Sequence, residues 1–114
     1  IDTIRLSQGV AWFSFKNICD GPRSSKDYIE ISKEFHTLLV SDIPILSKSK
    51  ENETRRFIAL VDECYERKVN LIISSEKKIK EIYSGSRLLK PIQRTLSRLE
   101  EMKSREFLSL PHLS

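Results

Sequence analysis

The sequence predicts an α/β fold in which a hairpin followed by a helix precedes a parallel βαβ unit and C-terminal helices. Two apolar runs, at residues 36–40 and 69–73, are short enough to be strands, and apolar residues recur with a helical period in the stretch between them. A strand, a helix and a strand joined by short loops form a parallel, right-handed unit. With 39% hydrophobic and 32% charged residues in a chain of 114, the composition is that of a globular region of domain size.

The first third of the chain predicts a hairpin and a helix. Residues 3–6 and 10–15 contain aromatic and β-branched residues on either side of a glycine-containing turn, which is the pattern of two paired strands. An Asp-Gly-Pro cluster then interrupts the chain. Either Ser24 or Ser25 can cap the helix that follows, and we expect that helix to end at about residue 35.

The βαβ unit has the most regular pattern. The run at 36–40 is nearly continuously apolar, which is typical of a strand buried on both faces. Residues 51–67 place apolar side chains on one side of a helix. Residues 69–73 follow as a second strand of the same buried kind, so the two strands should lie side by side and parallel.

Two further helices are predicted after the second strand. The first is short, covers about residues 77–83 and stops at a Ser-Gly pair. The second begins near Pro91, because proline suits the first turn of a helix. Its apolar side carries Ile92, Leu96, Leu99 and Met102.

The composition predicts neither a metal centre nor a transmembrane helix. Twenty Lys and Arg residues against 16 Asp and Glu give a net charge of +4. This surplus permits an acidic partner but does not favour nucleic acid, whose binding proteins concentrate the excess on one face. Cys19 and Cys64 lie far apart, with no partner at metal-ligand spacing, and this predicts reduced thiols in a cytoplasmic protein. No apolar run reaches the ~20 residues of a transmembrane helix.

Asp42 is the candidate for a strand-end carboxylate. It follows a predicted buried strand, and open α/β sheets bind ligands at the carboxyl ends of their strands. The alternative is that Asp42 only caps the turn before Pro44, because Ile43 follows it in place of a second acid. The loop at residues 21–26 lacks the second glycine of a phosphate loop. The sequence therefore predicts no catalytic residue in this segment.

Four arginines are candidate contacts to a phosphate or an acidic partner. On the final helix, Lys90, Arg94 and Arg98 fall within an arc of about 80° opposite the apolar side. The alternative for this face is simple solvation. Arg55 and Arg56 lie in the first turns of the long helix, where positive charge opposes the helix dipole. Salt bridges to neighbouring acids are the alternative to a partner contact for these two.

Four motifs occur in order: Phe35-His36-Thr37, Ser41-Asp42-Ile43-Pro44, residues 55–63 and residues 93–102. Together they resemble the C-terminal part of the ZapE and AFG-type family of AAA+-like ATPases. The resemblance implies a P-loop ATPase that uses ATP and Mg²⁺ and, in bacteria, acts on the FtsZ ring at the cytoplasmic face of the division site. In that family the phosphate loop and the metal-binding Asp-Glu pair precede this region.

We therefore expect residues 1–114 to form a single C-terminal α/β region of a larger P-loop ATPase, inactive alone. The start at Ile1, with no Met in the first hundred residues, agrees with a fragment. In this interpretation Arg94, Arg98, Arg55 and Arg56 sense nucleotide or contact another subunit of a homo-oligomer. The alternative function is a stand-alone interaction module that binds an acidic protein or nucleic acid through the basic helix.

Overall fold

A computed structural model describes residues 4–113, apart from the side chain of Arg5. Within that range a four-stranded sheet runs in the order β1-β2-β3-β4. The strands are β1 (Ile4–Ser7), β2 (Val10–Ser14), β3 (Thr37–Ile43) and β4 (Asn70–Ser75). The pair β1-β2 is antiparallel, whereas β2-β3 and β3-β4 are parallel. The predicted hairpin and parallel βαβ unit are both confirmed.

The helices connect and follow these strands. They are α1 (Phe15–Cys19), α2 (Ser25–Glu34), α3 (Glu51–Glu66), α4 (Leu89–Glu101) and α5 (Arg105–Leu108), with 3₁₀ turns at Lys48–Lys50 and Ile79–Glu81. Local capping fixes several starts. The hydroxyl of Ser14 accepts a hydrogen bond from the N–H of Asn17 at 3.1 Å, and the Ser24 N–H donates to the Asp27 carboxylate at 2.9 Å.

One continuous core lies between the sheet and α3. Phe57 of α3 is fully buried and its ring centroid lies 6.1 Å from that of Phe15. The sheet contributes alternate residues such as Phe13 and Leu38, both buried. Because strand side chains alternate between faces, the residues between these point away from the core. The fold therefore buries one face of the sheet beneath the described helices.

Both cysteines lie inside this core. Cys19 and Cys64 are free and fully buried. Burial raises the pKa of the Cys19 thiol to about 12 and also raises the pKa of Cys64. The thiols therefore stay protonated and unreactive near neutral pH.

The other face of the sheet differs from the prediction. Both apolar runs read as strands buried on both faces, yet Leu39 is only half-buried and Ile72 is 55% exposed. The prediction of two buried faces is therefore wrong for residues 4–113, because the described helices cover one side. We refer to the uncovered side as the open face, defined by Ile4, Leu6, Trp12, Leu39 and Ile72.

Two smaller elements also differ from the sequence expectations. The short α1 was not predicted, and residues 77–83 form only the 3₁₀ turn Ile79–Glu81 in place of a short helix. The final helix begins at Leu89, with Pro91 in its first turn as predicted. In the described part of the chain, no helix is both long enough and apolar enough to cross a membrane.

Candidate functional site

A depression of about 380 Å³ lies at the carboxyl ends of β3 and β4. It is lined by Asp42, Ile43, Pro44, Ser74, Ser75 and Glu76. Asp42 has a left-handed backbone with φ 61°, and its N–H donates to the Ser74 hydroxyl at 3.0 Å. This conformation interrupts the pairing between β3 and β4, whose register shifts between Val40 and Ile43. Asp42 therefore lies at the strand end that the sequence indicates.

The chemistry of this depression is limited. The Glu76 carboxylate accepts a hydrogen bond from the Ile45 N–H at 3.2 Å, so it fastens the loop after β3. Among residues 4–113 no cluster of three or more His, Cys, Asp or Glu side chains could hold a metal ion. The depression thus holds two carboxylates, Asp42 and Glu76, and the backbone of the loop after β3 already engages Glu76.

Arg98 joins α4 to α3. Its Nη1 lies 2.7 Å from Oδ1 of Asp62, and its guanidinium lies over the Tyr65 ring at 4.8 Å from the ring centroid. The Tyr65 hydroxyl donates in turn to the Glu101 carboxylate at 2.8 Å. Contacts with both an anion and a ring face hold Arg98 in place. Its structural role is to hold the two helices together.

The aromatic side of this junction extends to α5. The Phe107 and Tyr65 rings stack with centroids 5.8 Å apart and planes 21° apart. Lys68 Nζ lies 5.1 Å from the Tyr65 centroid and 5.7 Å from that of Phe107. Two cations therefore contact one short aromatic stack, and this couples the end of α3 to α5.

The other three arginines lie apart from this junction. Arg56 donates through Nη1 to the Cys19 carbonyl at 3.2 Å and lies 3.8 Å from the Glu53 carboxylate. These contacts tie α3 to the end of α1. Arg55 and Arg94 are exposed on α3 and α4 respectively. The structure therefore gives Arg98 and Arg56 intramolecular partners and leaves Arg55 and Arg94 on the surface.

A second polar depression, of about 430 Å³, lies beside the start of α3. It is lined by Lys48, Ser49, Glu51, Asn52, Ser86 and Arg87. The Glu51 carboxylate accepts hydrogen bonds from the Tyr83 hydroxyl at 3.0 and 3.2 Å and from the Ser86 N–H at 3.2 Å. The protein's own carboxylate thus occupies the positive end of this helix.

The same network fastens the long connection between β4 and α4. The Tyr83 hydroxyl accepts from the Leu88 N–H at 2.9 Å, and Leu46 pairs with the chain at Tyr83 in an isolated bridge. A Cβ on Gly85 would meet the Glu51 carboxylate and lie 2.6 Å from the Tyr83 hydroxyl, so a larger residue there would have to displace this hydrogen-bonded pair. Sequence reasoning missed this junction, and its one visible signal is the glycine itself.

Comparison with known protein families assigns this chain to a class of protein. The family model of the AFG1-like ATPases matches residues 1–111 of this chain. The chain therefore belongs to the AFG1-like ATPase family, and the resemblance found in its motifs is confirmed.

The curated relatives narrow this assignment. The chain is 50% identical over 101 residues to the cell division protein ZapE of Escherichia coli K12. The aligned residues make up 89% of this chain and 27% of ZapE. It is 40% identical over 79 residues to an uncharacterized protein of Schizosaccharomyces pombe, covering 69% of this chain and 17% of that protein. The chain thus spans about a quarter or less of the length of these relatives. No solved structure matches significantly.

Proposed function

We propose that this chain is the C-terminal region of an ATPase that binds and hydrolyses ATP in bacterial cell division, and that it supplies packing and partner contacts. The observation that carries this proposal is the 50% identity to ZapE over 89% of the chain. A likeness of that extent supports a shared role for the region, and ZapE is a cell division protein. ATP and Mg²⁺ are then the cofactors of the intact enzyme.

The division of labour follows from what the described residues offer. Asp42 stands without a second acid beside it in sequence, and Glu76 is used for holding a loop. The catalytic groups of the ATPase therefore belong to regions outside the segment that this chain matches, which is 27% of ZapE. In this proposal the 114-residue chain alone does not turn over ATP.

Arg55 and Arg94 are the arginines best placed to reach nucleotide or a neighbouring subunit of a homo-oligomer. Both are exposed, whereas Arg56 and Arg98 hold helices together. We propose FtsZ at the cytoplasmic face of the division site as the protein partner, on the resemblance of the motifs.

The test uses a hybrid, in which this chain replaces the matched 101-residue segment of Escherichia coli ZapE. We expect the hybrid to hydrolyse ATP in a Mg²⁺-dependent manner and the isolated chain to show no turnover. Turnover by the isolated chain contradicts the division of labour, and an inactive hybrid contradicts the shared role. Cosedimentation of the hybrid with FtsZ polymers tests the partner.

The arginines are tested in the same hybrid. Arg55→Ala and Arg94→Ala should reduce ATP turnover or FtsZ cosedimentation while the thermal midpoint stays unchanged. Lys33→Ala is the matched control, because Lys33 is an exposed cation on the separate helix α2. Equal behaviour of the arginine variants and this control removes both arginines from the site.

A further inference from the structure

We propose that one end of this molecule is a docking surface for an acidic segment of a partner protein. The surface consists of the two connections that leave the carboxyl edge of the parallel strands, residues 44–50 after β3 and residues 76–88 after β4. We call these two connections the basic end. The inference goes beyond the proposed function, because it requires neither ATP turnover nor a particular division of labour.

The basic end carries the whole net charge of the chain. Its two connections contain six Lys and Arg residues and two Glu residues, which gives a net charge of +4, and the complete chain also carries +4. The rest of the chain is therefore neutral overall. A surplus concentrated in one place attracts an acidic partner to that place, whereas an evenly distributed one does not. The six cations are Lys48, Lys50, Lys77, Lys78, Lys80 and Arg87.

These six cations have no acidic partner among residues 4–113. Elsewhere in that range, four basic side chains form salt bridges of 2.7–3.8 Å with neighbouring carboxylates, and none of the six belongs to such a pair. Five of the six are exposed, and Lys50 is half-buried. A carboxylate from another protein would therefore meet cations that have no internal ion pair to give up.

Hydrogen bonds hold the two connections side by side. The Leu46 N–H donates to the Ile82 carbonyl at 2.8 Å, and the Ser84 N–H donates to the Leu46 carbonyl at 2.9 Å. The Ile45 N–H also donates to the Glu76 carboxylate at 3.2 Å, which joins the first residues of the two connections. The cations of both connections therefore belong to one surface that is formed before a partner arrives, and this lowers the entropic cost of binding.

The polar depression of about 430 Å³ gives this surface a place for one carboxylate. Lys48 comes from the first connection and Arg87 from the second, and both line the depression. The Glu51 carboxylate in the same depression is already bonded to the Tyr83 hydroxyl at 3.0 Å. A guanidinium can bind a carboxylate through two parallel N–H groups, and a lysine adds a second positive charge. The depression therefore suits one acidic side chain of the partner, and the exposed lysines of residues 77–80 suit further ones.

Nucleic acid suits the basic end less well. Proteins that bind single strands stack the bases on aromatic rings, but Tyr83 is the only aromatic residue in the two connections and its hydroxyl is bonded to Glu51. Glu76 and Glu81 interrupt the positive charge. Phosphates follow one another at a fixed spacing, whereas a polypeptide can place its carboxylates so that they avoid both glutamates.

An anionic membrane also suits it less well. Helices and loops that lie on a membrane combine basic residues with apolar side chains that enter the lipid. None of the apolar side chains in residues 44–50 and 76–88 is exposed. The basic end therefore offers charge without an apolar anchor.

The experiment measures the binding of the 114-residue chain to a labelled peptide of about twelve residues that alternates Glu and Gly, by fluorescence anisotropy at low salt. The basic-end variant combines Lys77→Gln, Lys78→Gln and Lys80→Gln. The matched control combines Lys16→Gln, Lys26→Gln and Lys33→Gln, which replace three exposed lysines on α1 and α2. Both variants lose three positive charges, so their comparison holds the net charge constant.

We expect the basic-end variant to bind the peptide at least about tenfold more weakly than the parent, and the control to change by less than about twofold. Lys48→Gln combined with Arg87→Gln should weaken binding by a similar factor, and this variant replaces the first one if thermal unfolding shows that the first has lost its fold. Arg87→Lys should weaken binding by about threefold although the charge is kept, because the two-pronged contact is lost.

Equal weakening in the basic-end variant and the control overturns the proposal, because net charge alone then determines binding. Absence of binding at a peptide concentration of about 1 mM also overturns it. Tighter binding to single-stranded DNA of equal charge, or to vesicles that contain phosphatidylserine, assigns the surface to a different occupant and refutes the acidic polypeptide. None of these measurements uses ATP, so their outcome is independent of the proposed function.

Discussion

Replacing Arg98 tests whether this arginine serves the fold. Arg98→Ala removes a 2.7 Å ion pair with Asp62 and a ring contact with Tyr65, at a site where both charged side chains are less than a third exposed. The ion pair contributes about 0.5–1 kcal/mol and the ring contact a further ~0.5–1 kcal/mol. We therefore expect the free energy of unfolding to fall by about 1–2 kcal/mol, measured by urea denaturation with far-UV circular dichroism.

A double-mutant cycle isolates the pair. Asp62→Ala alone should cost less than Arg98→Ala, since the ring contact remains, and the two changes together should cost less than their sum by about 0.5–1 kcal/mol. Arg94→Ala is the control on the same helix and should stay within about 0.5 kcal/mol of the parent, because Arg94 is exposed. If Arg98→Ala is as mild as this control, the assignment of Arg98 to the helix junction is refuted.

Three further predictions concern stability. Gly9→Ala and Gly21→Ala should both lower the free energy of unfolding, because both glycines have positive φ. Gly9→Ala should cost about 0.5–1.5 kcal/mol more, since its Cβ would lie 2.5 Å from the exposed His36 ring and displace that ring. Equal costs would contradict this contact. Tyr83→Phe should lower the free energy of unfolding by about 1–2 kcal/mol, through loss of bonds to Glu51 and to a backbone N–H; a value below about 0.5 kcal/mol would exclude that role. Burial raises the pKa of Cys19 from 9.0 to about 12, so the unfolded chain loses this proton at lower pH than the folded chain. The free energy of unfolding should therefore fall as pH rises from about 9 to 12. Cys19→Ala should reduce this pH dependence by up to about 1.4 kcal/mol per pH unit in urea titrations, and an unchanged pH dependence would contradict the burial of the thiol.

The βαβ unit was predictable because its signals are local and repeated. The helix at 51–67 differs from α3 by a single residue at its end. The short α1 was not predictable in this way, since Phe15 continues the alternating apolar pattern of Ala11 and Phe13 in the preceding strand. Its conformation depends on the Ser14 cap and on the contact of Phe15 with α3, which comes much later in the sequence.

The candidate site was predictable in position but not in the role of each residue. Asp42 lies at a strand end because strand ends follow from the hydrophobic pattern. The different roles of Arg98 and Arg94 could not be predicted, because Asp62, the partner of Arg98, lies 36 residues earlier on another helix. Likewise, a sequence shows that both faces of a strand are apolar but not which elements cover them. The open face was therefore visible only in the structure.

The connection after β4 can be cut without separating the two helices that it joins, because non-covalent contacts also link them. Lys77, Lys78 and Lys80 are exposed in the segment just before the point where Tyr83 binds Glu51. Tryptic cleavage at these lysines separates α4 from α3 in covalent terms, while the Tyr83 hydrogen bonds and the Arg98–Asp62 ion pair still join them. The nicked protein should therefore remain a two-piece complex. The exposed residues 77–78, which precede the core-packed Ile79, are accordingly a place where residues can be inserted or the chain opened to new termini.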